Sequence, residues 1–257
     1  MTTPTAQSLN VLGQTLRLHS STAPGMPGPA FVLVHGIGMS HRYLTRLHDQ
    51  LSATADTYSL DLPGFGPNPR PSRTVSVEEH AAILVQVLLD AGVSRCVLVG
   101  HSMGTQIVAE AALQAPELVA GVVLIGPVVD RRRRRVLRQA LALAHDSLRE
   151  APSANLIVFT DYLRTGLRWY LRELKPMMTY PLEDKMPALT CPVLVLRGSR
   201  DPVAREEWCR ELAEASPAGK LQEIEGHPHV VQHSAPAAVA GLIRTFVRSI
   251  PSRAEAQ

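Results

Sequence analysis

The sequence predicts an α/β protein: a mostly parallel central sheet with helices on both faces and a helical segment inserted late in the chain. Three observations predict it. Apolar β-type runs alternate with helix-period segments along most of the 257 residues, the mark of a parallel sheet. One run, Cys96-Val97-Leu98-Val99, passes through Gly100-His101-Ser102-Met103-Gly104 directly into a helix-like segment from Met103 to Gln114. The alternation then breaks between about Val128 and Pro187, where helical patterns continue without a convincing strand.

Taken in order, Leu9 to His19, broken by Gly13, reads as a starting hairpin, and Ala23 to Pro29 as a Pro/Gly loop. Phe31 to Val34 is a buried strand, His41 to Ser52 a helix and Thr57 to Leu60 a short strand. A capping box, Ser76-Val77-Glu78-Glu79, opens the next helix, whose apolar stripe is Val77, Ala81, Leu84 and Leu88. Val119 to Ile125 is the strand after the Met103 helix. Pro192 to Leu196 and Leu221 to Glu225 read as later strands, Val203 to Glu214 and Ala235 to Ser249 as the late helices.

Composition fits one large domain. Hydrophobic residues make up 45% and charged residues 19%, which excludes a disordered chain. A formal net charge of +3 gives no reason to expect nucleic acid. The three cysteines, Cys96, Cys191 and Cys209, lie in or beside apolar elements and read as buried thiols rather than a disulfide framework. Met1 to Gln7 has neither a basic nor an apolar signal region, and no apolar run approaches a membrane span. The expectation is a soluble, cytoplasmic protein with no membrane partner.

The chemistry concentrates at Gly100 to Gly104. A strand that turns at once into a helix makes a sharp corner, and flanking glycines remove the Cβ atoms that would collide there. Ser102 then projects its hydroxyl above the sheet edge, near the positive end of the helix. A nucleophilic serine needs a base, and the base needs a third group to hold its tautomer. Both partner types follow on loops at strand ends: Asp201 in Arg197-Gly198-Ser199-Arg200-Asp201-Pro202, and His227 and His229 in Gly226-His227-Pro228-His229.

These motifs together resemble the α/β-hydrolase superfamily, in its cap-bearing serine esterase and C–C hydrolase branch, from about Phe31 to Val247. Val32-Leu33-Val34-His35-Gly36-Ile37-Gly38 resembles the oxyanion strand and its H-G turn, and Asp61-Leu62-Pro63-Gly64-Phe65-Gly66 the D-x-P-G-x-G loop. Gly100 to Gly104 is the elbow, and Gly198 to Pro202 resembles the acid loop. His229, seven residues before Pro236, has the family spacing of the catalytic histidine, which favours it over His227. The resemblance implies a triad of Ser102, Asp201 and His229. It also implies an oxyanion hole made by the backbone N–H groups of Ile37 and Met103. Thr105 departs from the pattern, since many relatives carry a second glycine there.

Some relatives carry the acid after the strand that follows the elbow helix, and Asp130 is close to that position. Asp201 is favoured, because Gly198 and Pro202 shape its loop, while Asp130 precedes five arginines expected to hold it in surface ion pairs.

Where the alternation breaks, the resembled family inserts a cap. The expected division is a core of residues 1–127 and 188–257 with a helical cap at 128–187. Leu163, Trp169, Met177, Met178 and Tyr180 of that segment are pocket candidates, against the plainer reading that they pack it onto the core. The run Arg131 to Arg135 reads as a solvated face. His227, His229 and His233 suggest a metal set only superficially; no metal and no cofactor are expected. His35 and His101 read as structural, hydrogen-bonded to nearby backbone.

The function expected is carboxylic-ester hydrolysis of a small, largely apolar substrate through an acyl-enzyme. C–C bond hydrolases, lactonases, thioesterases and perhydrolases share the same triad, and a non-catalytic small-molecule receptor on this fold is the rival from another class. A serine nucleophile argues against the dehalogenases and epoxide hydrolases of similar fold, which use an aspartate.

Overall fold

The structure, a computed structural model, describes residues 4–23, 28–133, 152–216 and 218–251. Its frame is an eight-stranded sheet of β1 (Thr5–Val11), β2 (Gln14–Ser21), β3 (Ala30–Val34), β4 (Thr57–Asp61), β5 (Cys96–His101), β6 (Val119–Ile125), β7 (Val193–Gly198) and β8 (Gly219–Ile224). The spatial order is β1-β2-β4-β3-β5-β6-β7-β8. β1 and β2 form the antiparallel hairpin, β2 pairs antiparallel with β4, and the other pairs are parallel. The chain belongs to the mostly parallel α/β class that its alternation predicts.

Burial explains the strand composition. β5, β6 and β7 are buried along their whole length, so they read as continuous apolar runs rather than alternating ones. Helices α1 (His41–Ser52) and α9 (Pro236–Arg248), the latter following the one-turn α8 (Val231–Ser234), share one apolar core with one face of the sheet. Helices α2 (Val77–Asp90), α3 (Met103–Gln114) and α7 (Glu206–Ala215) share the core on the other face. The box at Ser76 forms as predicted: its hydroxyl accepts from Glu79 N–H while the Glu79 carboxylate accepts from Ser76 N–H. The stripe Val77, Ala81, Leu84 and Leu88 is buried.

The boundaries that differ have local causes. The hairpin starts at Thr5, ahead of the apolar pattern, because the residues that extend it, Thr5 to Ser8, are exposed and carry no apolar signal to read. The helix expected from Val203 starts only at Glu206, because Arg205, with φ of −70° and ψ of 152°, is still extended backbone; Val203 and Ala204 before it lie in the loop and donate to the Asp201 carboxylate. Cys96 and Cys209 are buried free thiols and Cys191 is a half-buried one.

Between β6 and β7 the described chain is helical: a 3₁₀ turn at Arg131–Arg133, then α4 (Pro152–Thr165), α5 (Leu167–Thr179), α6 (Leu182–Lys185) and a second 3₁₀ turn at Met186–Ala188. Side-chain bonds hold α4 and α5 against the loops that follow β3 and β4. Ser40 Oγ donates to Asp161 Oδ2 at 2.6 Å, and Thr165 Oγ1 donates to the Gly38 carbonyl at 3.0 Å. Glu173 accepts from Val75 N–H at 3.1 Å and from His80 Nε2 at 3.3 Å. Both carboxylates are buried, where an unpaired charge would be costly, so these bonds fix the helices to the sheet.

Candidate active site

Ser102 ends the strand and opens the helix. Its φ of 53° and ψ of −121° are strained for a residue with a side chain. The surroundings hold it there. Ser102 N–H donates to the Ile125 carbonyl at 3.0 Å, and the Ser102 carbonyl accepts from Thr105 N–H at 2.9 Å and Thr105 Oγ1 at 2.6 Å. Thr105, the departure from the glycine pattern, therefore ties down the elbow. The flanking glycines are needed for space: a Cβ on Gly100 would overlap the Gly104 backbone, and one on Gly104 would overlap the Val34 carbonyl.

The acid and the base arrive on the neighbouring loops. Asp201 follows β7, with Asp201 N–H bonded to the Gly198 carbonyl. Its Oδ1 accepts from Val203 N–H at 2.7 Å and Ala204 N–H at 2.9 Å, and its Oδ2 faces His229 Nδ1 at 2.8 Å. A carboxylate only accepts, so Nδ1 carries the proton and His229 holds its lone pair on Nε2. The ring lies over Gly126, next to the Ile125 carbonyl that receives Ser102 N–H. The two loops thus bring His229 and Asp201 to the elbow. Ser102, Asp201 and His229 are all buried.

His101 supports this geometry from beneath. Its Nε2 donates to the His229 carbonyl at 3.1 Å, and its Nδ1 accepts from the Tyr43 hydroxyl at 2.9 Å. Burial first, then the nearby His229, holds its pKa well below the ordinary histidine value, which suits a neutral ring. His35 is fixed likewise: Nδ1 donates to the Gly36 carbonyl at 2.8 Å and Nε2 accepts from Leu62 N–H at 3.1 Å. Both rings are structural, as expected. Tyr43 was invisible to sequence reasoning, because its role depends on a contact 58 residues along the chain.

The Ile37 turn abuts the elbow. A Cβ on Gly36 would lie 3.0 Å from Ser102 Cβ, and Met39 N–H closes the turn onto the Gly36 carbonyl. Met103 is the first residue of α3, where an N–H has no partner within the helix. The turn that carries Ile37 and the first residue of α3, Met103, therefore both adjoin Ser102.

His227 is elsewhere: its Nδ1 meets Ser234 Oγ at 2.9 Å, and His233 Nε2 meets Ser153 Oγ at 3.3 Å. Among the described residues no group of three metal-ligating side chains converges. Asp130 keeps an arginine partner, as expected, but is buried rather than on the surface. It accepts from Arg132 N–H at 2.9 Å and has the Arg132 guanidinium 3.8 Å away. Arg131 and Arg132 themselves pair with Glu211 at 2.6 and 2.8 Å, the solvated arrangement expected of the run. Arg134 and Arg135 lie outside the described residues.

The pocket candidates separate. Trp169 packs against the Gly64-Phe65 turn, so closely that a Cβ on Gly64 would overlap its indole. Met177 and Met178 are buried, and the Met177 carbonyl accepts from Gln106 Nε2 at 2.9 Å. Tyr180 is buried, but its hydroxyl donates to Glu110 Oε2 at 2.7 Å, two turns along α3 from Ser102. Leu163 is 66% exposed, so it points to solvent and not into a pocket, because the buried side of α4 is taken by Ala154, Asp161 and Thr165.

A strained serine elbow on a parallel sheet, with an acid-held histidine on the loops beyond it, defines the α/β-hydrolase class. Residues 31–242 match the model of the alpha/beta hydrolase family, and the chain belongs to that family. It is a hydrolase. It is 24% identical over 243 residues to the (E)-2-((N-methylformamido)methylene)succinate hydrolase of Acinetobacter baylyi, covering 87% of this chain and 92% of that one. It is 25% identical over 237 residues to a putative carbamate hydrolase of Klebsiella pneumoniae, covering 83% and 89%. Among solved structures, an esterase from a Rhodococcus species superposes with a TM-score of 0.81 at 22% identity, covering 97% of this chain and 100% of that one.

Proposed function

We propose that this hydrolase cleaves the carboxylic ester of a small, largely apolar substrate through an acyl-enzyme on Ser102. The observation that carries the reading is the Asp201–His229 pair, whose 2.8 Å bond leaves the basic lone pair on Nε2 beside a strained, buried serine elbow.

In this reading His229 takes the Ser102 proton as Oγ attacks the acyl carbon. The tetrahedral oxyanion is held by the N–H groups of Ile37 and Met103. His229 gives its proton to the departing alcohol, and the acyl-enzyme remains. Water, deprotonated by His229, then attacks the same carbon, and the carboxylic acid leaves as Ser102 regains its proton. Asp201 fixes the tautomer and stabilises the imidazolium in both halves. The helices between β6 and β7 act as the cap, excluding water from the acyl carbon. Trp169 and Met177 are the candidates for its inner wall, and the Trp169 indole N–H, buried without a hydrogen-bond partner among the described residues, is a candidate donor to substrate.

The test is a panel of p-nitrophenyl esters, thioesters, lactones, carbamates and vinylogous diketones, with Ser102→Ala as control. Ester turnover should fall by about 10⁶ in the variant, the scale for loss of a triad nucleophile. A serine-directed organophosphonate should label Ser102 stoichiometrically. A panel in which carbamates or lactones turn over and esters do not would reassign the bond cleaved while keeping the triad. Binding without turnover would favour the receptor.

A further inference from the structure

We propose that the outer face of α4 and α5 docks on an anionic phospholipid surface. Among the described residues seven large hydrophobic side chains are prominently exposed, and five of them are Leu156, Phe159, Leu163, Leu167 and Leu171. At 3.6 residues per turn, Leu156, Phe159 and Leu163 fall on one side of α4, and Leu167 and Leu171 on one side of α5. A single exposed leucine is ordinary; five exposed large hydrophobics within sixteen residues are not.

The charges around them have one sign. The exposed ionisable residues of these two helices are Arg164, Arg168, Arg172 and Lys175. Their two acids, Asp161 and Glu173, are buried beneath the helices, bonded to Ser40 and Arg42 and to Val75 and His80. The cations lie roughly a quarter turn from the leucines on each helix, and a corner at Gly166, with φ of 72°, joins the two helices. Apolar side chains beside a cationic stripe, with no exposed acid among the described residues of these two helices, match the interfacial region of a bilayer carrying anionic headgroups.

A second copy of the chain fits less well. A two-fold contact through this face would bring the same cations against themselves. A bilayer surface also requires no spanning segment. The expectation of no membrane partner rested on span length, and no helix of the described residues is long and apolar enough to cross a membrane.

The experiment is cosedimentation of the full chain with large vesicles of pure phosphatidylcholine or of phosphatidylcholine with about a third phosphatidylglycerol. It is run at low and at raised salt, with size-exclusion light scattering of the protein alone. The expected result is binding to the anionic vesicles only, weakened by salt. Arg168→Glu with Arg172→Glu should weaken it by about thirtyfold or more, from the electrostatic contribution of two cations near the surface. Phe159→Ser with Leu167→Ser should weaken it at both salt concentrations, with an unchanged melting temperature showing that the fold is intact. No binding to anionic vesicles at low salt would overturn the proposal. So would binding indifferent to both double variants, or a dimer in solution that Phe159→Ser with Leu167→Ser dissociates.

Discussion

Gly126 lies directly against the His229 ring: a Cβ added to it would come 2.8 Å from Cε1 and 2.9 Å from Nδ1. Its φ of 56° adds a second reason for glycine. Gly126 N–H is bonded to the Leu196 carbonyl, so the backbone cannot retreat without breaking the sheet edge. Gly126→Ala should therefore displace the imidazole from Asp201. We expect kcat to fall by about 10² or more, the scale of a misplacement of about 1 Å, with a smaller change in KM. Near-wild-type turnover by a folded Gly126→Ala variant would show that His229 has freedom this packing denies it.

Buried histidines should make the fold acid-sensitive. His41 is held down to about 3 by burial and then by His19, and His48 to about 4 by the same two causes in that order. In the unfolded chain both titrate near 6.5. The unfolded state thus binds more protons below that pH. Their contribution to stability is present above pH 6.5 and lost as pH falls toward 4 and 3. His48 meets Ser59 Oγ at 2.7 Å and Ser21 Oγ at 3.0 Å, contacts a glutamine amide can copy without titrating. Between pH 6.5 and 5, His48→Gln should remove up to about 2 kcal/mol of the acid loss. Urea unfolding at several pH values checks this. Parallel profiles for wild type and variant would mean that His48 is not among the titrating groups.

The cleft between α5 and α2 offers a sharper test of packing. His80 and Glu173 are both buried, 3.3 Å apart, and Glu173 also accepts from Val75 N–H. Glu173→Ala leaves His80 Nε2 and Val75 N–H without their acceptor, a loss of about 3–5 kcal/mol, the scale for removing one partner of a buried pair. Double replacement, Glu173→Leu with His80→Leu, should recover part of it, because it removes both polar partners and leaves only Val75 N–H to satisfy. Equal stability of the single and double variants in denaturant melts would refute a coupled pair.

The sequence made the site legible wherever chemistry and local geometry coincide. The elbow, the Asp201 loop and the His229 loop each combine a reactive side chain with a turn that its own neighbours dictate. The strands β3 and β5 to β7 were equally legible, since buried parallel strands are apolar runs with little else in them. Contacts across the fold were not. Nothing near Tyr43 announces His101, and nothing near Asp161 announces Ser40, because those pairs are made by docking elements 58 and 121 residues apart. Leu163 misled for a related reason. Helical spacing shows which residues share a face but not which face meets the core, and here Ile157, Val158 and Tyr162 pack on the core while Leu156, Phe159 and Leu163 are turned outward.

Asp201 and Asp130 are both buried carboxylates beside backbone N–H donors, so burial does not choose between them; their bonding does. Asp201 Oδ1 receives two N–H groups, from Val203 and Ala204, while Oδ2 receives His229. In Asp201→Asn the amide oxygen must keep the Oδ1 position, since an NH₂ there would face two donors. The NH₂ then faces His229 Nδ1 and forces that nitrogen to accept. The proton moves to Nε2, the atom that should take the Ser102 proton. The two backbone bonds thus lock the wrong tautomer, and kcat should fall by about 10⁴. Asp130 Oδ1 receives Arg132 N–H, which an asparagine oxygen receives as well, and Asp130 has no bond to His229 among the described residues. Asp130→Asn should cost less than about tenfold, in keeping with loss of a partly exposed ion pair. Steady-state kinetics on one ester, with both variants shown to be folded, decides the matter. An inactive Asp130→Asn beside an active Asp201→Asn would move the acid to the loop after β6.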